Sequence, residues 1–157
     1  MHDLLALSPE MQKQMRQAVT PKGKERTKEI SITDHDVSST ISLTTKVKIE
    51  DEWYSAIVDT GAAVSAISQT LMKKIGFTIQ APVTYKIKGV GGQRIIPLGV
   101  IHDFHVKIGK ITIPIEVAVL DIPSCQLILG NDFLKKVNAQ ILYADPSPTL
   151  TITWLGR

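Results

Sequence analysis

The chain has 157 residues, of which 43% are hydrophobic, 21% charged and 5% aromatic. That mixture fits one globular domain with its own core and excludes collagen-like, disulfide-dense and wholly disordered classes. The formal net charge of +3 is too mild to imply a nucleic-acid partner, and no apolar run approaches the roughly 18 residues of a membrane span. The single cysteine, Cys125, cannot form an internal disulfide, and residues 1–10 lack the basic cluster and long apolar run of a secretory signal. The expected setting is therefore reducing and cytoplasmic rather than secreted.

In chain order, Ser8 and Pro9 start a short helix, serine as the cap and proline at the first helical position. Met11, Met15, Ala18 and Val19 give it a thin apolar stripe, and Pro21 ends it. Lys13, Arg16, Lys22, Lys24, Arg26 and Lys28 face only Glu25 in this stretch. A short helix with so thin a stripe is marginal alone. Residues 1–35 are therefore expected to be an N-terminal extension, a short helix plus a basic linker, flanking a domain over 36–157.

From residue 40 the apolar period is two, the signature of half-buried strands. Ile41, Leu43, Val47 and Ile49 form one such face, and Val83, Tyr85 and Ile87 a second. Phe104, Val106 and Ile108 follow, then Ile111, Ile113, Ile115, Val117 and Val119, and finally Leu150, Ile152 and Trp154. The Asp145-Pro146-Ser147-Pro148 turn makes 140–144 and 149–154 a terminal hairpin. Two short helices interrupt: 69–75, capped by Ser68 and closed by Gly76, and 132–137, with Asn131 as the cap. Trp53 and Tyr54 read as packing residues. His102 and His105 stand three apart, which in a regular strand puts them on opposite faces and argues against a metal pair. The fold class is all-β, a small closed or sandwich-like barrel.

The chemistry concentrates in residues 56–67. An apolar strand, Ala56-Ile57-Val58, ends in Asp59-Thr60-Gly61, and Ala62-Ala63-Val64 resumes the apolar character. A carboxylate in that position is partly buried, and a lone buried carboxylate is costly. Gly61 permits a close approach that a side chain would block. On these residues alone, a capped turn with an exposed aspartate fits equally well.

Three segments in order change the balance. Val58-Asp59-Thr60-Gly61-Ala62 resembles the active-site segment of retropepsin-like aspartic proteases, the family of retroviruses, LTR retrotransposons and plant pararetroviruses. Ile87-Lys88-Gly89-Val90-Gly91-Gly92 is similar to the family's glycine-rich flap. Leu127-Ile128-Leu129-Gly130-Asn131-Asp132-Phe133-Leu134 resembles the apolar-apolar-Gly segment that leads into its C-terminal helix. The resemblance covers about residues 40–145. It departs where retroviral members carry an Asp and an Arg that form a salt bridge; Ala63 and Asn131 stand there. Both partners are absent together, so no buried charge is left unpaired. The wording Gly130-Asn131-Asp132-Phe133-Leu134 is closer to gypsy-type retrotransposons or plant pararetroviruses.

The resemblance implies a closed β-barrel with a flap hairpin and one short C-terminal helix, completed as a symmetric homodimer. The chemistry needs two carboxylates, and the chain has one Asp-Thr-Gly, so two copies must meet. Asp59 is then the catalytic residue, with Thr60 and Gly61 supporting it. Ala62, Ala63, Gly89, Val90, Gly91 and Ile128 would bind an extended peptide, with the loop at Pro123-Ser124-Cys125-Gln126 lining side-chain pockets. No cofactor, metal or membrane is implied. The expected function is an aspartic endopeptidase that cleaves a viral or retroelement polyprotein and releases itself. Two alternatives are a cellular retropepsin-like protease domain and a non-catalytic barrel dimer for assembly.

Overall fold

The computed structural model describes residues 26–31, 43–89, 91–124, 126–144 and 147–156. The N-terminal helix expected after Ser8, Ile41, Val90 at the hairpin tip, Cys125 and the Asp145-Pro146 half of the turn lie outside these residues.

The described strands are β1 (Arg26–Ser31), β2 (Thr44–Ile49), β3 (Glu52–Val58), β4 (Ala66–Ser68), β5 (Ile87–Lys88), β6 (Arg94–Ile95), β7 (Gly99–Ile108), β8 (Ile111–Leu120), β9 (Leu127–Leu129), β10 (Gln140–Leu142) and β11 (Thr149–Trp154). Two short helices join them, α1 (Gln69–Ile75) after β4 and α2 (Asn131–Lys136) after β9. Strands β2-β3-β9-β4-β8-β7 close into a barrel, β5 and β6 form a separate hairpin, and β1-β11-β10 form a three-stranded sheet. The fold is thus the mostly-strand closed barrel that the alternating pattern predicts.

Period-two alternation decides which side chains fill the barrel. In β8, Ile111, Ile113, Ile115, Val117 and Val119 are all buried. They join Val47, Ile49, Val58, Ile101, Phe104 and Leu129, among others, in one continuous core. Phe77 seals one side, its ring 5.0 Å from that of Phe104. The even face of β8 diverges along its length. Thr112 and Glu116 are exposed, whereas Ala118 and Leu120 are buried. They belong with Ala66 to a second, smaller cluster, against which Ile87, Ile95, Ile122 and Ile128 pack. The far end of β8 is therefore buried on both faces.

The helices obey local capping chemistry. Ser68 Oγ accepts a hydrogen bond from Leu71 N at 3.2 Å, and Gly76 ends α1 in the left-handed conformation at φ 94°. The second helix departs from expectation. Its cap is Gly130, without a side-chain hydrogen bond, and Asn131 is already helical.

Other local expectations are corrected too. Only Ile87 of the Val83, Tyr85, Ile87 series lies in a strand. Residues 26–31, which the sequence reads as basic linker, pair along their whole length with β11, from Arg26 opposite Trp154 to Ser31 opposite Thr149. Trp53 is 60% exposed rather than packed; it borders an open depression of about 430 Å³ with Lys46, Tyr54 and Ser55. His102 and His105 are both exposed, not on opposite faces. An irregularity between Ile101 and Phe104, where Asp103 takes φ 48°, inserts a residue and resets the alternation.

Candidate active site

Two parallel strands deliver the site. β3 and β9 run side by side, with Val58 opposite Leu129, so their C-terminal ends arrive together. Asp59 follows β3 directly, and its amide donates to Leu129 O at 3.0 Å. Its backbone is thereby an extension of the barrel, and the residue stands half-buried at the end of β3. Ala62 N donates to Asp59 O at 3.3 Å, which closes a tight turn. Gly61 N donates to Asp59 Oδ1 at 2.8 Å, fixing the carboxylate against its own turn. A methyl group on residue 61 would sit 3.2 Å from that oxygen. A side chain here would press on that oxygen and make it shift by a few tenths of an ångström.

The turn is clamped from behind by the segment that follows β9. Asn131 Nδ2 donates to Thr60 O at 2.8 Å, and Asn131 N donates to Ala62 O at 2.8 Å. Ser65 is buried, and its Oγ donates to Asp132 Oδ1 at 2.7 Å while accepting from Gly130 N at 3.1 Å. Ser65 N donates to Asp132 Oδ2 at 2.9 Å, and Phe133 N to Asp132 Oδ1 at 2.8 Å. A Cβ on residue 130 would lie 2.6 Å from Val64 O, so only glycine lets the two segments touch. Ser65 and Asp132 are site-supporting residues that sequence reasoning missed. Their signal is the Gly130-Asn131-Asp132 triplet, in which the sequence shows only Asn131 as a helix cap within the Leu127–Leu134 segment.

The remaining candidates sort by place. Thr60 is exposed beside Asp59 and borders an open depression of about 410 Å³ with Asn131, Leu134, Lys135, Asn138, Ala139 and Ile141. Ala62 is half-buried and Ala63 exposed on the same turn. Gly89 N donates to Gln93 O at 2.8 Å, and Gly92 N to Gly89 O at 2.9 Å, which shapes the tip of the β5–β6 hairpin. Gly92 has φ 77°, and Gly91 is exposed at that tip. Ile128 is half-buried, pairs with both Ile57 and Ala66, and shares the small apolar cluster with Ile87 and Ile95 of the hairpin. The structure thus brings Ile128, the hairpin and the end of β3 to one region. Near it, burial pushes the Tyr85 phenol above its ordinary 10.0, and the negative charges of Glu116 and Asp132 add to the effect.

The sequence matches the family described as gag-polyprotein putative aspartyl protease over residues 45–136, more than half of the chain. The chain belongs to this family of retropepsin-like aspartic proteases. Among curated relatives, DNA damage-inducible protein 1 of Yarrowia lipolytica is 34% identical over 88 residues, 55% of this chain and 22% of that protein. The UBA domain-containing protein Mud1 of Schizosaccharomyces pombe is 31% identical over 97 residues, 60% of this chain and 29% of that protein. The chain therefore spans less than a third of the length of these relatives. The fold is similar to a retropepsin-like aspartic protease from Rickettsia conorii, with TM-score 0.58 and 20% identity over 86% of this chain and 97% of that one. It is also similar to the retroviral protease-like domain of Ddi1 from Leishmania major, with TM-score 0.54 and 24% identity over 71% and 94% of the two chains. EIAV protease complexed with the inhibitor HBY-793 gives TM-score 0.55 and 24% identity over 70% and 99%.

Proposed function

We propose that the chain is an aspartic endopeptidase that works as a symmetric homodimer, with Asp59 of each copy forming the catalytic pair. The observation that carries this reading is the Asp59 carboxyl itself. It emerges at the barrel end, braced by Gly61 N at 2.8 Å, in a retropepsin-like fold whose described chain offers one such turn. Two such carboxylates meeting on a twofold axis cannot both ionise easily, so the pair holds one proton. The charged member takes a proton from a water molecule as that water attacks the scissile carbonyl carbon. The neutral member donates its proton to the carbonyl oxygen. The tetrahedral intermediate then collapses: the carboxyl that took the water's proton gives it to the nitrogen, the other carboxylate takes a proton back from a hydroxyl of the intermediate, and the C–N bond breaks to release the amine and the new acid. Thr60, exposed next to Asp59, is placed to contact the second copy, and the β5–β6 hairpin covers the peptide and excludes water.

The substrate has two readings. The family description favours a gag-type polyprotein; the Gly130-Asn131-Asp132-Phe133-Leu134 wording leans to the gypsy or pararetroviral kind, with the chain's own release as one of the cuts. The curated relatives, a DNA damage-inducible protein and a UBA domain-containing protein, favour a cellular retropepsin-like domain, and at 34% and 31% identity they carry more weight. Comparison of the chain with its Asp59→Asn form tests the peptidase reading. On unfolded protein and on the chain's own extended precursor, at about pH 4 to 6, where a carboxylate pair can hold one proton, the wild type should cleave and the variant should not. Equal cleavage by both would refute the role of Asp59. Cleavage of foreign protein with the precursor left intact would favour the cellular reading.

A further inference from the structure

The β5–β6 hairpin has two unlike faces. Ile87 and Ile95 stand directly opposite each other and pack against the cluster of Ala66, Ala118 and Leu120, beside Ile128. The next pair, Lys88 opposite Arg94, is turned by the strand alternation to the other face, and both residues are exposed. Lys86, two residues earlier, is exposed as well. Residues 82–101 contain no Asp or Glu. The ion pairs among the described residues, Lys48 with Asp51 and His102 with Glu116, lie elsewhere. Like charges directly opposite in an antiparallel pair repel, and here they fill half of a ladder only two residues long. An anion lying between Lys88 and Arg94 would turn that repulsion into a bridge across the hairpin.

We infer that the hairpin reads acidic side chains in the substrate. Lys86, Lys88 and Arg94 bind Asp or Glu residues outside the segment held over Asp59, where the substrate chain passes round the hairpin to the face turned away from Ile87 and Ile95. The preferred substrate is a polypeptide with acidic residues flanking the cleaved segment, and the acidic flank also bridges the two strands of the hairpin. This inference rests on the peptidase reading. A peptide fits better than a nucleic acid because residues 86–96 contain no aromatic ring and only Tyr85 adjoins them, one ring where a run of bases stacks on several.

The test uses two fluorescein-labelled extended peptides with the same apolar centre, one flanked by Glu and the other by Gln. Binding is followed by anisotropy on the Asp59→Asn chain, and cleavage on the unaltered chain. Exposed ion pairs each change affinity severalfold, so the Glu peptide should bind about tenfold more tightly at low salt. The advantage should shrink as salt screens it. It should vanish when Lys88→Gln and Arg94→Gln are combined, and persist in Lys110→Gln, at the turn between β7 and β8. Equal or absent binding of the two peptides, or an advantage that survives the double substitution, would overturn the inference. So would displacement of the Glu peptide by single-stranded RNA of equal charge. If the Glu peptide binds selectively but the unaltered chain cleaves neither peptide, the peptidase reading falls and the charge preference stands.

Discussion

Thr45 is 3% exposed, and its Oγ1 has no hydrogen-bond partner. It sits in β2 opposite Ala56, where the strand presents an apolar neighbourhood to a hydroxyl. A buried hydroxyl that has lost water and gained no partner costs about 1 to 3 kcal/mol. Thr45→Val keeps the shape and removes the polar atom, so it should raise unfolding stability by about 1 kcal/mol. Urea denaturation checks this through the midpoint at unchanged slope; a lower midpoint would mean that the hydroxyl finds a partner. Gly61 and Gly130 are the opposite case. Each is a residue whose missing side chain is what the site uses, one to admit the Asp59 carboxylate and the other to admit Val64 O.

At the scale of elements, the start of α2 is a latch on the Asp59 turn. One carboxylate, that of Asp132, accepts from Ser65 Oγ, Ser65 N and Phe133 N. Hydrogen bonds to a charged group contribute about 1.5 to 3 kcal/mol. In Asp132→Asn one acceptor becomes an NH2 group that must face a backbone N–H. Stability should fall by about 2 kcal/mol, as read by thermal or urea unfolding. Asn131→Ala removes only the tie to Thr60 O at 2.8 Å. It should lower kcat more than stability, because Thr60 adjoins Asp59; peptide cleavage and urea unfolding on the same protein separate the two effects. The barrel strands were legible in the sequence because alternation of Ile and Val with Lys and Thr encodes one buried face directly. The cap of α1 was legible because Ser68 and Gly76 act within their own helix. The latch was not, because Ser65 and Asp132 lie 67 residues apart and the pairing of β4 with β9, Ala66 opposite Ile128, is what brings them together. The bulge at Asp103 was equally hidden, since no glycine or proline marks it. Residues 26–31 looked like linker because their charged, non-alternating pattern gives no sign of the partner strand 120 residues on.

For the whole molecule, the proposed site exists only when two chains meet. Specific activity should therefore fall on dilution below the dimer dissociation constant, and sedimentation should follow the same curve. Constant specific activity in a demonstrably monomeric sample would remove the dimer from the mechanism.

The β1-β11-β10 sheet has a consequence for where this chain can be cut. β11 is the central strand, with β1 on one side and β10 on the other, and it carries the buried Leu150 and Ile152. A shortened chain that begins after Ser31 would strip β1 and leave six residues of β11 with a bare row of amides and carbonyls. Such an edge invites another strand. Removal of the N-terminal segment would thus replace an edge strand rich in charge (Arg26, Lys28, Glu29) by one that carries Leu150 and Ile152, ready either to recruit a second copy or to aggregate.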